Sequence, residues 1–205
     1  GRVDGLELEP VMLDSSFAAV LAAAVGGDEQ AFAELWRDLH PAVLRYLQVV
    51  VPGAAEDVAS ETWLEVVRGL GRFTGDEAGF RSWVFIIARH RALDDRRRRA
   101  RRPTVPLPGE LAAGWQAADD PADRVVEGLS TRAALAVIAQ LPRDQAEVVL
   151  LRVVAGLGVE QVARLVGKRP GAVRVLAHRG LRRLAERLEQ EQQREGPSKG
   201  LSKGV

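Results

Sequence analysis

Cysteine is absent from the 205-residue sequence. No disulfide, thiol nucleophile or zinc–thiolate site can be built from it, and a reducing compartment is compatible with it. Long hydrophobic runs are also missing. The longest apolar candidates, near residues 17–25 and 148–155, are interrupted or fall short of the ~18 residues that a membrane span needs. The first residues are acidic rather than basic, which speaks against a secretory signal peptide, so a cytoplasmic location with no membrane insertion is expected. Histidine is scarce: His40, His90 and His178 have no metal-ligand spacing. The acidic pairs Asp94-Asp95 and Asp119-Asp120 lack a neighbouring histidine or cysteine partner. Metal and carboxylate catalysis therefore have no constellation to rest on, and neither an enzyme nor a cofactor is expected.

What is present is ordinary in amount and unusual in arrangement. Hydrophobic residues make up 46% and charged residues 28%, as in a soluble globular protein. The net charge of +1 conceals segregation. Residues 1–80 sum to −9, residues 81–102 to +7, residues 103–140 to −3 and residues 141–188 to +6, while the tail 189–205 balances to zero. Alternating blocks do not suit a protein that coats DNA uniformly. They suit separate basic faces for nucleic acid and acidic faces for something else.

Strand signals are nearly absent, and the apolar pattern follows helical spacing. A short helix is expected over 16–25, broken by Gly26-Gly27, with Asp28 as N-cap of the next. That next helix carries Phe32, Leu35, Trp36, Leu39, Val43, Leu44 and Leu47, and Pro41 within it predicts a kink or break. Residues 55–70 follow, with Val58, Thr62, Leu64, Val66 and Val67. A Gly- and acid-rich loop over 73–79 leads into a helix over 80–99, with Trp83, Val84, Ile87, Ala88 and Leu93 inward. From Pro103 to Pro121 the pattern dissolves into Pro, Gly, Ala and Asp, which marks a linker. Its nineteen residues reach at most roughly 60 Å, about 18 base pairs at ~3.4 Å each.

Beyond the linker four helices are expected, over 124–140, 143–154, 159–166 and 170–189. The last two, around the turn Gly167-Lys168-Arg169, form a helix-turn-helix pattern. On the last helix Val173, Ala177, Leu181, Leu184 and Leu188 share a core face, at about 100° per residue. Val175, His178, Arg179 and Arg182 lie opposite, with Arg174 at the flank. Cations there can meet phosphates or guanine edges in a major groove; the bland alternative is a solvated surface helix. The tail 190–205 is too polar to bury a core and reads as disordered.

The fold class expected is thus all-α: an N-terminal extension (1–27), a helical domain (28–102), a flexible linker (103–121), a helix-turn-helix domain (122–189) and the tail (190–205). A second basic element, Arg96-Arg97-Arg98-Arg99, continues the helix that holds Trp83. Runs of this kind are often localisation tails, but this one is anchored. The aromatics Phe73, Phe80, Trp83 and Phe85 flank the Gly- and acid-rich loop. Their bland role is core packing; the functional alternative is a loop that captures an unstacked base.

Several stretches in order resemble one family. They are residues 27–35 (GDEQAFAEL), 55–63 (AEDVASETW), 72–73 with 80–94 (RF…FRSWVFIIARHRALD) and 141–152 (LPRDQAEVVLLR), followed by the helix-turn-helix. Over about residues 28–188 the chain is similar to the extracytoplasmic-function (ECF) sigma factors, the compact two-domain group of the sigma-70 family. The resemblance implies that the first domain is region 2, which binds core RNA polymerase and opens and reads the −10 promoter element. It implies −10 contacts from Phe73, Phe80, Arg81, Trp83, Arg89, His90, Arg91, Arg96, Arg97, Arg98 and Arg99. It places Asp57, Glu61 and Trp63 on the face that docks on the β′ clamp helices. The second domain is implied to be region 4, which meets the β flap and reads the −35 element through Lys168, Arg169, Arg174, Val175, His178, Arg179 and Arg182. An anti-sigma factor is implied as a further partner.

The chain departs from the family pattern at the helix-turn-helix. Gly158 stands where a capping Ser or Thr is common, Gln161 where Glu is common, and Arg169 where Ser is usual. Val175-Leu176 replaces a frequent Ser-Arg pair, and Val175 suits a thymine methyl. The competing readings are a free-standing helix-turn-helix regulator and a protein-interaction adaptor. The regulator is usually a two-fold dimer, and no coiled-coil heptad is present to form one.

Overall fold

The computed structural model describes residues 17–101 and 125–195. The expected linker, 103–121, and residues 196–205 of the expected tail lie outside the described residues, as do residues 1–16 of the extension. The described chain is all-α, as expected.

Four helices make the first unit: α1 (Phe17–Val25), α2 (Glu29–Val50), α3 (Ala55–Gly69) and α4 (Glu77–Arg101). Asp28 caps α2 as expected, its carboxylate accepting from the backbone N–H of Gln30 at 2.8 Å and of Ala31 at 3.1 Å. Pro41 does not end α2, which runs through it to Val50. Proline removes one backbone donor, but Pro41 is exposed while Leu39, Ala42 and Val43 around it are buried. The freed carbonyl one turn earlier can therefore be met by water, and the buried stripe holds the helix together.

Buried side chains recur at helical spacing on α2 (Leu35, Leu39, Val43, Tyr46, Leu47), on α3 (Val58, Thr62, Val66) and on α4 (Phe80, Val84, Phe85, Ala88, Ala92). Tyr46 and Phe85 lie edge to face at 5.7 Å. Burying each such large side chain contributes about 1.5–3 kcal/mol. Leu64 and Val67 stay more than half exposed on the outer side of α3, in contrast to Val58 and Val66.

The second unit comprises α5 (Val125–Ala139), α6 (Arg143–Val149), α7 (Val159–Val166) and α8 (Pro170–Glu195). The expected helix over 143–154 is α-helical only to Val149. It then widens into a π turn over Leu150–Val154, closed by Ala155 N–H donating to Leu150 O at 2.9 Å. The wider turn delivers Leu157, 1% exposed, into the core. α8 extends six residues past its expected end at residue 189, so residues 190–195 are helical rather than disordered.

The expected core face of α8 needs correction. Leu181 is 43% exposed, while Gly180 is buried with Val173. A Cβ at Gly180 would lie 2.7 Å from Val149 Cγ2. The absence of a side chain lets α8 cross α6 closely, and this contact rotates Leu181 outward.

The two units pack on each other through α2 and α4 on one side and α5, α6 and the π turn on the other. Glu147 of α6 accepts at one carboxylate oxygen from Arg89 Nε at 2.7 Å and from Tyr46 Oη at 3.3 Å. Apolar side chains surround this point, among them Val49, Val50, Leu93, Leu141 and Leu150. At another point of contact, Gln161 Nε2 of α7 donates to Ala78 O at the start of α4, at 3.0 Å.

Candidate nucleic-acid interface

The loop between α3 and α4 and the first turns of α4 create an open groove of about 650 Å³, lined by Glu65, Arg68, Gly69, Arg72, Phe73, Thr74, Trp83 and Ile87. Two aromatic rings form part of its wall. Phe73 and Trp83 stack with centroids 5.2 Å apart and planes 27° from parallel. Both are partly exposed. Gly69, at the end of α3, permits this seat: a Cβ there would lie 2.7 Å from Trp83 Cζ2. Asp76 Oδ1 accepts from Gly79 N–H at 2.7 Å and so fixes the entry into α4. Aromatic rings beside Arg68 and Arg72 offer stacking surface and positive charge together, the combination that holds a single-stranded base and its phosphate.

The structure sorts the first set of expected contact residues. Trp83, His90 and Arg97 recur every seven residues, two helical turns, and so form one stripe on α4 that continues from the groove. Phe80 does not belong there: it is 1% exposed and packs under Phe73 and Trp83. Arg81 turns to Asp38 at 3.1 Å and Glu77 at 3.6 Å. Arg89 faces the second unit through Glu147, and Arg96 lines the same seam. Burial and the nearby Arg143 guanidinium lower the Arg96 pKa from its ordinary value. Arg91 pairs with Glu65 at 3.1 Å, Arg97 with Asp94 at 3.3 Å and Arg99 with Asp95 at 2.8 Å.

The acidic face changes in detail. Asp57 is exposed, and Asp57, Glu61, Leu64 and Arg68 share one side of α3 at helical spacing. Glu61 already pairs with Arg98 at 3.2 Å. Trp63, expected on this face, is instead buried and donates from Nε1 to His40 Nδ1 at 3.1 Å. Leu64 and Val67 read from the sequence as part of the same apolar pattern as Val58 and Val66, but they are exposed on the outer side of α3, which shows only once the buried stripe is known.

In the second unit Val175, His178, Arg179 and Arg182 are all exposed on α8, as the helical spacing requires. Arg174 pairs with Glu160 at 3.5 Å, Arg182 with Glu186 at 3.4 Å and Lys168 with Asp144 at 2.8 Å. The Lys168 ammonium holds the Asp144 carboxyl below its ordinary pKa. Arg169 is exposed in the turn before α8. The Gly158 that replaces a capping Ser or Thr is compensated in part: its backbone N–H donates to Gln161 Oε1 at 2.7 Å. Among the described residues no helix is long and apolar enough to cross a membrane.

Comparison with known proteins gives this arrangement a family. Residues 35–102 match the family described as Sigma-70 region 2, and residues 125–184 match Sigma-70, region 4. The chain is 34% identical over 191 residues to the ECF RNA polymerase sigma factor SigD of Mycobacterium tuberculosis, covering 89% of this chain and 90% of that one. It is 35% identical over 181 residues to ECF RNA polymerase sigma factor ShbA of Streptomyces griseus, covering 84% and 95%. Among solved structures, the sigma factor RpoE in complex with the anti-sigma factor NepR from Bartonella quintana aligns with a TM-score of 0.58 at 22% identity, covering 77% of this chain and 96% of that one. CnrH in complex with the cytosolic domain of CnrY aligns with a TM-score of 0.56 at 19% identity, covering 84% and 96%. Two sigma-70 regions in order, and relatives matched along most of their length, make this chain a member of the ECF group of sigma-70-family RNA polymerase sigma factors.

Proposed function

We propose that the chain directs core RNA polymerase to promoters by holding two DNA elements with its two units. In this reading the groove beside Phe73 and Trp83 takes an unstacked base of the −10 element, and the stripe Trp83–His90–Arg97 follows the strand. The exposed face of α8 reads the −35 element in the major groove, with Arg179 and Arg182 at base edges and Lys168, Arg169 and Arg174 toward phosphates. The outer side of α3 docks on the polymerase clamp helices, with Asp57 and Glu61 supplying charge and Leu64 and Val67 apolar area. The second unit meets the β flap, and in the cytoplasm an anti-sigma factor holds the chain inactive until it is released.

The observation that carries this reading is the Phe73–Trp83 stack on an open groove between Arg68 and Arg72. A core pair has no need of an open face, whereas a base-holding pair does. Extrusion of a base costs a few kcal/mol, which stacking at about 1–3 kcal/mol per base can offset together with phosphate contacts. Arg89 and Arg96 lie at the seam between the units, so their use on DNA requires the units to part.

Run-off transcription with core polymerase on a randomised promoter library is the test. Enrichment of a −10 and a −35 sequence at fixed spacing supports the reading. Tight promoter binding without polymerase, and no polymerase-dependent transcription, would replace it with a free-standing helix-turn-helix regulator.

A further inference from the structure

The stack at the groove rests on a chain of rings that begins outside the region 2 match. Phe17, the first residue of α1, is 5% exposed and lies 5.7 Å from Phe80, centroid to centroid. Phe80 in turn meets Phe73 at 5.4 Å, edge to face, and Trp83 at 5.8 Å. Phe73 and Trp83 then stack on each other at the groove. Four rings thus connect α1 to the groove wall, with Phe80 as the shared support. The match to region 2 starts at residue 35, so α1 lies outside the matched residues while packing against them.

Phe80 is tightly enclosed on the α1 side, where Phe17 is the ring it meets and Leu35 and Leu39 complete the wall. The gap bounded by Phe17, Leu35, Asp38, Leu39, Glu77, Phe80 and Arg81 measures about 10 Å³, at the lower limit for a single water. Phe73 lies at the end of a 3₁₀ turn, ahead of an irregular stretch that lasts until α4 begins at Glu77. Its ring is oriented by other rings rather than by a regular backbone ladder. Arg81 ties the start of α4 to α2 through Asp38, which keeps Phe80 pressed toward Phe17.

We infer that Phe17 is a positioning residue for base capture: it fixes Phe80, and through Phe80 the Phe73–Trp83 stack, without touching DNA itself. The inference rests on the proposed role of the groove. Truncating Phe17 leaves a cavity that the Phe80 ring can enter, and the two rings above lose their common support. Capture then demands ordering that the parental protein has already completed.

The test uses holoenzyme reconstituted with core polymerase and a fluorescein-labelled single-stranded oligonucleotide carrying the −10 sequence selected from the random library, with a scrambled oligonucleotide as reference. Trp83→Ala is expected to weaken the selected oligonucleotide about tenfold and to erase most of its preference over the scrambled one. Phe17→Ala is expected to do the same within about threefold, with core polymerase affinity and −35 preference unchanged. Phe17→Leu, which refills the volume without a ring, is expected to recover most of the loss, and it carries the test if Phe17→Ala does not fold. The double variant Phe17→Ala/Trp83→Ala is expected to be no weaker than Trp83→Ala alone, because both act on one platform. Losses that multiply in the double variant would overturn the inference. So would a folded Phe17→Ala that retains parental preference while Trp83→Ala loses it; the groove reading would then stand without α1. If Trp83→Ala itself binds like the parent, the groove reading falls, and the inference falls with it.

Discussion

Arg89 and Glu147 meet at 2.7 Å across the seam between the two units, and the fully buried Tyr46 donates its hydroxyl to the same carboxylate oxygen. Burial and the Glu147 carboxylate together raise the Tyr46 pKa well above its ordinary value, so the phenol remains a donor. Glu147→Ala removes the acceptor for both partners. It is expected to cost about 1.5–3 kcal/mol in urea unfolding, the usual range for a hydrogen bond to a charged group. Because the parent has no cysteine, single cysteines introduced at the exposed positions Ser60 and Arg164 can carry a unique dye pair. Energy transfer between them should fall in Glu147→Ala and fall less in Glu147→Gln, which keeps an acceptor oxygen. Unaltered transfer in both variants would mean that the seam is held by its apolar side chains alone.

Gly180 should tolerate no side chain while Val149 is present. A Cβ at position 180 lies 2.7 Å from Val149 Cγ2, and overpacking of this kind costs about 1–3 kcal/mol. Gly180→Ala is expected to lower the unfolding midpoint, and Val149→Ala in the same chain to restore part of it. A thermal melt of the two single variants and the double decides this, since simple additivity would contradict the contact.

Base reading and backbone anchoring should separate on α8. Arg179 is exposed beside Val175 and His178, whereas Lys168 sits in the preceding turn, paired with Asp144 at 2.8 Å. A residue at a base edge contributes roughly 1–3 kcal/mol of discrimination, and a phosphate contact weakens all sequences alike. Arg179→Ala is expected to change which −35 sequences a mutant holoenzyme selects from a library. Lys168→Ala is expected to lower the use of all of them in proportion. A parental sequence preference in Arg179→Ala would place the base-reading face elsewhere on the helix.

Acid should loosen the first unit through His40. Burial holds its imidazole below the ordinary value of 6.5, and its Nδ1 must be unprotonated to accept from Trp63. The folded protein therefore binds this proton less readily than the unfolded chain. The stabilising contribution is complete above the unfolded value, is lost as pH falls below about 6.5, and levels off below the lowered folded value. His40→Gln, which can accept at any pH, is expected to show a smaller decline in urea stability over that window. Parallel pH profiles for the two proteins would remove His40 from the account.

The helix inventory was legible because its signals are local: Asp28 at a cap, Pro170 at a helix start, and Gly at the breaks. Contacts between elements were not. Nothing local announces that Gly180 admits a close helix crossing, so Leu181 read as core by spacing alone. Pro41 read as a kink or break, and the break did not follow because the buried stripe that spans it is a tertiary effect. Trp63 and Phe80 were legible as important aromatics, but their burial depends on His40 and Phe17, far away in sequence. The π turn at Leu150–Val154 left no mark in the apolar pattern, which continues across it. The basic and aromatic composition of the candidate site was legible; which arginines are engaged by carboxylates was not, because partners such as Glu147 and Glu61 lie up to 58 residues away.

The paired arginines of α4 alter what a count of positive charges means. Arg97, Arg98 and Arg99 are each in contact with Asp94, Asp95 or Glu61. DNA binding gains free energy when condensed counterions leave phosphates that cations neutralise, at about 0.9 of an ion per contact. An arginine already shared with a carboxylate neutralises less of a phosphate, or must first exchange one oxyanion for another. On DNA, the basic end of α4 would therefore release fewer counterions than its composition suggests. If α4 lies along DNA as proposed, its grip would be correspondingly less sensitive to ionic strength, and base stacking at the groove would take a larger share of the binding.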